Sequence, residues 1–516
     1  MVHVLVADIG TSSVKVEGYT RNGTLVEQVV ETYPPGDGET RHDEIDPEVW
    51  FAAFSRAIRS LSMTAGSERT PGQPQLNSLQ YIVLTGQMQN LILLGEHGPL
   101  RDAVLYFAQR PSTGYQDFLT HIGPDRLTDL IKNTPDTAQF SAKLLYLVEQ
   151  EPNIIPAVQK ILCGAHDYVA WRLTGNAGTD PTTAATTGLM DPVTGTWVSE
   201  LLELLPVELD TLAPIVPGDK DMGSLLPDVA AELALPGGVR VIHGVGDVGA
   251  SVLAMEAPGY HRSCYLGTSG WVLDTGPLHQ PGNPEHGVFN LRHPVRDQLI
   301  RVAPLLTATG AFDWLLELFS PDKITRAQLF EQLAKDAASL SPHDSNVVFL
   351  PYLAGERSPF KDPAASGTFI GLTRGTGRVE LFRAVEEGVA FAVRSILDAL
   401  VHGAGTHDQE PVLLSGGGSA IFGLPELLAE VTGETFHRLE EARFSGARAL
   451  LQLVPDMDSG ASDDVEALEN QFPQELHIFT PKHRGLVYDA TYQVYLDAYT
   501  KNRELMHRLS KRTQGG

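Results

Sequence analysis

The 516-residue chain has few cysteines and no long apolar run. Two cysteines, Cys163 and Cys264, cannot build the disulfide framework of a small secreted domain, so a reducing cytoplasm is the expected compartment. No apolar stretch approaches the ~20 residues that a membrane helix needs. The first apolar segment meets Asp8 too early for a signal peptide. We therefore expect neither a membrane anchor nor an export signal.

Basic residues are in deficit, because 38 Lys and Arg stand against 64 Asp and Glu, which gives a formal net charge of −26. This excess of negative charge argues against nucleic acids and anionic membranes as partners, since both would be repelled. A local pocket for a small phosphate compound remains compatible with it. The sequence also lacks a P-loop signature and a paired-cysteine zinc pattern, and its 17 histidines show no metal-ligand spacing.

Apolar segments separated by turns predict an α/β protein built from two related halves. Residues 2–7 and 14–19 are predicted strands that flank a Gly-Thr-Ser turn, and the same order of elements recurs around residues 263–273. The two turns lie about half the chain apart, which indicates an internal duplication with a boundary near residues 256–259. We therefore predict domains at 1–256 and 257–516. Helical patterns are predicted at 50–61, 141–149, 379–401 and 491–509.

The two Gly-Thr-Ser turns are candidate phosphate sites. A tight turn between strands directs successive backbone N–H groups into one concavity, and the Thr and Ser hydroxyls add donors, so no net positive charge is required. Asp8 precedes the first turn and cannot bind phosphate directly, but its carboxylate suits Mg²⁺. The alternative is a plain hairpin turn, because Gly, Thr and Ser are common turn residues.

Asp247 lies in the segment Gly244-Val245-Gly246-Asp247-Val248-Gly249, after a predicted strand at 239–242. The spacing matches a dinucleotide-binding fingerprint, but Asp247 would place a carboxylate where the pyrophosphate belongs, and the acidic residue expected further on is missing. We interpret the segment as a strand-to-helix bend on which Asp247 acts as a general base toward a substrate hydroxyl. The alternative is an Asp that caps the following helix.

A third glycine-rich turn, Ser415-Gly416-Gly417-Gly418, follows an apolar strand and precedes a helix. Three consecutive glycines permit the backbone to approach a flat or phosphorylated ligand closely. The alternative is a flexible surface loop.

In this order the motifs resemble the FGGY family of carbohydrate kinases, most closely its xylulokinase branch, over nearly the whole chain. The longest matching block begins at Pro351-Tyr352-Leu353-Ala354-Gly355-Glu356-Arg357-Ser358-Pro359. Further matching segments are Asp8 to Lys15, Thr85-Gly86-Gln87-Met88, Asp167-Tyr168, Thr179-Asp180, the Gly244 segment, Gly267 to Gly270 and the Ser415 turn.

The resemblance implies an actin-like ATPase fold, with two ribonuclease H-like domains around a cleft, and ATP-dependent phosphorylation of a sugar or polyol hydroxyl. By position, Asp247 would be the general base, and Asp8 and Asp247 would hold Mg²⁺. Substrate contacts would come from Gln87, Met88 and Gln89 together with Asp247. ATP and phosphate contacts would come from Gly10, Thr11, Ser12, Lys15, Gly267, Thr268, Ser269, Gly310, Gly416, Gly417 and Gly418.

The sequence departs from the xylulokinase pattern on the sugar side. Gln89 stands where such members have His, and Ala108 replaces the Asp of their Trp-Asn-Asp-x-Arg segment. Sites built to bond hydroxyl groups discriminate strongly by such side chains. A ketopentose such as xylulose is the expected substrate, and ribulose, gluconate, glycerol or erythritol are alternatives. A non-catalytic actin-like ATPase or a sugar-sensing protein, and a homodimer as the assembly, also stay open.

Overall fold

The computed structural model contains two large mixed sheets, one in each half of the chain. The residues that the structure describes are 1–34, 42–63, 76–257, 259–320, 322–342, 346–401, 410–439, 446–455, 457, 476–483 and 487–513.

The first sheet has six strands in the order β5-β6-β4-β1-β2-β3. Strand β1 pairs antiparallel with β2 and parallel with β4, and β4 pairs parallel with β6. The carboxyl ends of β1, β4 and β6 therefore meet at one edge of the sheet. The strands are β1 (Val4–Ile9), β2 (Ser13–Tyr19), β3 (Leu25–Thr32), β4 (Tyr81–Gly86), β5 (Asp221–Ser224) and β6 (Arg240–Gly246).

The second sheet has seven strands in the order β9-β10-β8-β7-β11-β12-β13. Strand β7 pairs antiparallel with β8 and parallel with β11, and β11 pairs parallel with β12. The strands are β7 (Arg262–Leu266), β8 (Gly270–Pro277), β9 (Phe289–Arg292), β10 (Gln298–Leu305), β11 (Val412–Ser415), β12 (Phe436–Leu439) and β13 (Leu476–Phe479).

The two sheets repeat one topology. In each, an antiparallel hairpin closed by a Gly-Thr-Ser turn lies beside two parallel strands, and an antiparallel edge strand follows (β5 beside β6, β13 beside β12). This repetition, in a mixed α/β architecture, confirms the predicted actin-like fold. The boundary at 256/257 stays a prediction, although one sheet uses strands only from residues 4–246 and the other only from 262–479.

Helices cover both sheets and build the cores. Trp50 and Phe54 of the first helix are fully buried against the apolar side chains of β1 and β2. Among the described residues, no helix combines the length and the apolar character required to cross a bilayer. The principal helices are α1 (Glu48–Met63), α2 (Ala165–Thr174), α3 (Asp247–Glu256), α4 (Gly310–Phe319), α5 (Arg378–Val401), α6 (Leu424–Thr432) and α7 (Asp489–Thr513).

One segment of the second half packs on the first sheet. A short helix, Gly446–Ala449, and the helical turn Leu450–Leu453 bury their apolar side chains in one cluster with Val4 and Val6 of β1 and Ile242 of β6. The first sheet thus completes one of its two apolar faces with residues that come from beyond the predicted domain boundary.

Candidate functional site

The first half of the candidate site lies where β1, β4 and β6 end side by side. Ile9 of β1 and Gly246 of β6 are both in register with Gly86 of β4. The residues that follow these strands are Gly10, Gln87 and Asp247, so the structure brings together three motifs that are far apart in sequence. This is the edge of a parallel sheet at which ligands typically bind.

The first Gly-Thr-Ser turn is closed by its own backbone. The Gly10 N–H donates to the Ser13 carbonyl at 3.0 Å, and the Tyr33 hydroxyl donates to the Gly10 carbonyl at 2.8 Å. Thr11 and Ser12 are exposed, which leaves their hydroxyls available to a ligand. Lys15 forms an ion pair within β2, because its ammonium lies 2.9 Å from the buried Glu17 carboxylate.

Asp247 stands at the start of α3. Gly246 occupies the N-cap position and Asp247 is the first helical residue, so the capping alternative is wrong. The Asp247 carboxylate accepts the Val248 N–H at 2.8 Å. Its side chain reaches solvent, although protein atoms surround it closely on its other sides. This enclosure raises the pKa of Asp247 to about 6, and the negative charge of Asp8 acts in the same direction.

Asp8 and Asp247 form a pair that a cation would stabilise. Burial raises the pKa of Asp8 as well, with Lys15 opposing that shift. Because each carboxylate is desolvated and Asp8 disfavours the charged form of Asp247, a divalent cation between them would relieve both effects. Two carboxylates are ligands that Mg²⁺ accepts, with water in its other positions.

Strand β6 is longer than predicted and includes two of the glycines. Gly244 has φ +80°, and a Cβ there would overlap the Leu84 carbonyl of β4. A Cβ on Gly246 would overlap Met88 and come within 2.7 Å of Thr183 Oγ1. The glycines therefore permit close packing against β4 and the sugar-side loop, rather than forming a dinucleotide turn.

The predicted sugar-side residues have different environments. Gln87 is buried and its amide donates to the Gly10 carbonyl at 3.3 Å, which ties this loop to the first phosphate turn. Met88 is buried against Gly246. Gln89 adopts φ +60° and donates to the Ala138 carbonyl at 2.8 Å, and it remains partly exposed. Of the three, Gln89 is the residue that reaches open space.

Gln89 lines a cavity of about 240 Å³ between the two halves of the chain. Buried Lys143 supports one wall, since its ammonium donates to the Gln89 carbonyl at 2.7 Å and to the Tyr106 carbonyl at 3.3 Å. Neutral amides and aromatic rings dominate the lining, a combination suited to hydroxyl groups and to the C–H faces of a carbohydrate. The lining residues are Gln89, Tyr106, Phe107, Gln109, Asn133, Asp136, Ala138, Gln139, Ala185, Thr186, Phe289, Leu291 and Arg357.

The second Gly-Thr-Ser turn is braced by the start of α4. The Thr309 hydroxyl donates to the Gly267 carbonyl at 2.7 Å, and the Gly310 N–H donates to the Thr268 carbonyl at 3.0 Å. Thr268 and Ser269 are exposed. The structure therefore brings Gly310 into contact with the turn, and its predicted role as a nucleotide contact stays a prediction.

The third glycine turn lies beside the second, because β11 runs parallel to β7 with Ser415 in register with Tyr265. Gly416 has φ +81°, and a Cβ there would come within 2.6 Å of the Leu266 carbonyl. A Cβ on Gly418 would approach Leu266 as closely, whereas Gly417 faces open space. The turn is thus packed on one side and accessible at Gly417.

Several contributing residues were missed by the sequence reasoning. Tyr33 and Thr309 brace the two phosphate turns, and Lys143 connects two loops of the cavity wall. None of them lies in a recognisable motif, and each acts through a carbonyl group that is distant in sequence. Only the fold reveals such contacts.

Comparisons with known proteins agree with this architecture. Residues 3–254 match the family model of the N-terminal domain of the FGGY family of carbohydrate kinases, and residues 263–451 match that of the C-terminal domain. A xylulose kinase of Bacillus subtilis (strain 168) is 26% identical over 512 residues, which are 98% of each chain. One of Escherichia coli (strain K12) is 28% identical over 468 residues, 87% of this chain and 92% of that one.

A solved structure has the same fold over its whole length. The crystal structure of a xyloylose kinase from Brucella ovis is 27% identical to this chain. The match covers 97% of this chain and 99% of that one, and the two superpose with a TM-score of 0.81.

Proposed function

The chain belongs to the FGGY family of carbohydrate kinases, and from this premise we propose that it phosphorylates a hydroxyl group of a ketopentose such as xylulose with ATP. The observation that supports the proposal most strongly is the meeting of Asp8, the Gln87–Gln89 loop and Asp247 at one sheet edge. A base, a phosphate turn and a sugar-side loop are the parts that phosphoryl transfer to an alcohol requires.

In this proposal Asp247 accepts the proton of the attacking hydroxyl. A general base works best when its pKa lies near the working pH, and enclosure raises the pKa of Asp247 to about 6. The helix position of Asp247, fixed by the Val248 N–H, keeps the second carboxylate oxygen free to face the substrate.

The phosphates of ATP would lie between the exposed hydroxyls of Thr11 and Ser12 and those of Thr268 and Ser269. Asp8 and Asp247 would hold Mg²⁺, which supplies charge compensation to the phosphates when bound. The base of the nucleotide would lie along the Gly416 turn, where Gly417 is open. None of these contacts needs a basic surface, which fits the strongly acidic composition.

The substrate is tested by a coupled ADP-release screen over pentuloses, hexuloses, sugar acids and polyols. We expect D-xylulose to give the highest kcat/KM. If a sugar acid, glycerol, ribulose or erythritol were the best substrate, the proposed kinase activity would stand, but the proposed acceptor, a ketopentose such as xylulose, would be wrong. No stimulation by any compound would favour a non-catalytic ATPase or a sugar sensor.

Replacing Asp247 by Asn tests its role as the base. Asp247→Asn keeps an oxygen that can accept the Val248 N–H, so the fold should persist. Loss of the base should lower kcat by about 10²- to 10⁴-fold. We expect binding of ATP without Mg²⁺, measured by calorimetry, to change little, because the proposed direct contacts to the nucleotide come from the three turns and not from Asp247.

The matched control is Asp228→Asn, since Asp228 is also an exposed acid in the first turn of a helix, Pro227–Leu233. It should retain full activity. Near-normal turnover in Asp247→Asn would refute the assignment of Asp247 as the base.

A further inference from the structure

A fully buried cluster of two histidines and two aspartates lies beneath Asp247. His166 and Asp167 come from the first turn of α2, Asp180 from the N-cap of the short helix Pro181–Ala185, and His243 from β6. All four have relative exposures of 0%. Asp180 also accepts the Gly246 N–H at 3.2 Å, which connects the cluster to the residue before Asp247.

The cluster contains buried atoms that hydrogen bonds do not satisfy. Asp167 Oδ1 lies 3.1 Å from His166 Nε2 and 3.4 Å from His243 Nε2, yet it accepts a hydrogen bond from no described residue. Within the same described part of the chain, His243 Nε2 has no hydrogen-bond partner. An unsatisfied polar atom in a dry interior is costly, and two such atoms facing one another, Asp167 Oδ1 and His243 Nε2, need an explanation.

The orientations of Asp167 and His243 are fixed by hydrogen bonds on the far side of each side chain. Asp167 Oδ2 accepts the Cys163 and Gly164 N–H groups, at 3.1 Å and 2.8 Å, which directs Oδ1 toward the imidazoles. His243 Nδ1 lies 3.0 Å from the Gly244 carbonyl, and because a carbonyl only accepts, Nδ1 carries the proton. The Nε2 lone pair of neutral His243 therefore points toward a carboxylate oxygen. Such supporting bonds are typical of metal-binding histidines and carboxylates.

The spacing of these atoms suits a small divalent ion. One nitrogen or oxygen from each of His166, Asp167 and His243 lies within 4.8 Å of the others. Asp180 Oδ2 is 3.1 Å from His166 Nε2 and offers a fourth ligand. Bonds of about 2.0–2.1 Å in a tetrahedron place the ligand atoms about 3.3 Å apart, close to the distances observed.

We propose that His166, Asp167 and His243, with Asp180, form a structural site for a divalent transition metal ion of the zinc class, separate from the Mg²⁺ of the kinase reaction. Imidazole nitrogens favour zinc, cobalt or nickel over magnesium. Two carboxylates and two neutral imidazoles balance the charge of one divalent ion in the dry interior. The ion joins three segments of the chain directly behind Asp247.

The competing occupant is a second proton on His243. Burial lowers the pKa of His243, but Asp167 and Asp180 oppose this and raise it to about 9. A protonated His243 would then form a charge network with the aspartates and leave no room for an ion. Metal analysis distinguishes the metal site from the protonated network, because only the metal site contains a metal.

The test uses the full chain, purified without a polyhistidine tag and incubated with Zn²⁺ or Co²⁺ before exchange into buffer with a competing chelator. We expect about one metal per chain by mass spectrometry, and visible absorption of the Co²⁺ form typical of tetrahedral coordination. Zn²⁺ should also raise the thermal midpoint, because it binds only the folded chain.

The variant His166→Ala/His243→Ala should lose at least about nine-tenths of the bound metal. The control His293→Ala removes another buried histidine, one that pairs with Glu256 at 2.9 Å, and should retain it. A wild-type chain that stays metal-free, or equal metal in the double variant, overturns the site. If the double variant does not fold, the metal content of the wild-type chain still shows whether the proposed site binds a metal ion. Neither sugar nor ATP enters the measurement, so the result is independent of the proposed kinase reaction.

Discussion

At the scale of single residues, Glu356 is a buried carboxyl group whose titration should be visible in the stability of the protein. It has a relative exposure of 1%, and its Oε1 accepts the Leu306 and Arg357 N–H groups, at 3.1 Å and 2.8 Å. Burial raises the pKa of Glu356 to about 7, although these backbone bonds oppose the shift. The native state therefore keeps a proton that the unfolded chain releases near pH 4.5.

Glu356 should make the protein less stable as the pH rises. Its stabilising contribution is complete below the unfolded pKa and is lost as the pH rises toward about 7. Glu356→Gln removes this titration, so the unfolding free energy of the variant relative to wild type should rise by up to about 3 kcal/mol between pH 4.5 and 8. Urea unfolding at several pH values measures it. The exposed Glu504→Gln is the control, and parallel pH profiles for Glu356→Gln and wild type would contradict the prediction.

The residue-scale predictions succeeded where the signal is local. Gly-Thr-Ser turns and the Asp247 bend are encoded in a few consecutive residues, so the sequence located them, and the fold brought Asp8 close enough for its charge to act on Asp247. Tyr33 and the His166–His243 cluster were not predicted, because their partners come from other elements. The roles assigned to the site residues remain predictions until variants are measured.

At the scale of elements, periodicity predicted the helices well. The predicted helices at 50–61 and 379–401 correspond to α1 and α5 almost residue for residue. Strand β6 was predicted to end at 242, because glycines suggest a turn, but tertiary contact with β4 continues the strand to Gly246. The packing of Gly446–Leu453 on the first sheet has no sequence signal, since its short apolar pattern does not identify its partner.

Leu450 should be important for the stability of the first sheet. It is fully buried in the cluster with Val4, Val6 and Ile242. Leu450→Ala should lower the unfolding free energy by about 3 kcal/mol, because it leaves a cavity between two elements that cannot collapse freely. Leu505→Ala, at a site on α7 that is 52% exposed, is the control and should change it little. Equal effects of the two substitutions, measured by calorimetry, would refute the importance of this contact.

At the scale of the whole molecule, the excess of negative charge should determine how stability depends on salt. With 64 acidic against 38 basic residues, repulsion among carboxylates exceeds the attraction available from ion pairs. Salt screens both the repulsion and the attraction between charges. Because the net interaction is repulsive, the stability of the folded protein should increase with ionic strength. We expect the thermal midpoint to rise by about 2–5 °C between low salt and ~0.2 M NaCl. An uncharged osmolyte at equal osmolality is the control, and a midpoint that falls with salt would contradict the expectation.

The packing of Gly446–Leu453 on the first sheet also affects how the protein folds while it is being synthesised. The strands of the first sheet are complete once residue 246 has left the ribosome, but the apolar side chains that cover Val4 and Val6 are translated about 200 residues later. At a translation rate of about 5–20 residues per second, that apolar face stays uncovered for roughly 10–40 s. During that interval the nascent first half carries an open apolar surface, so this kinase should depend on chaperones during translation more than its finished fold indicates.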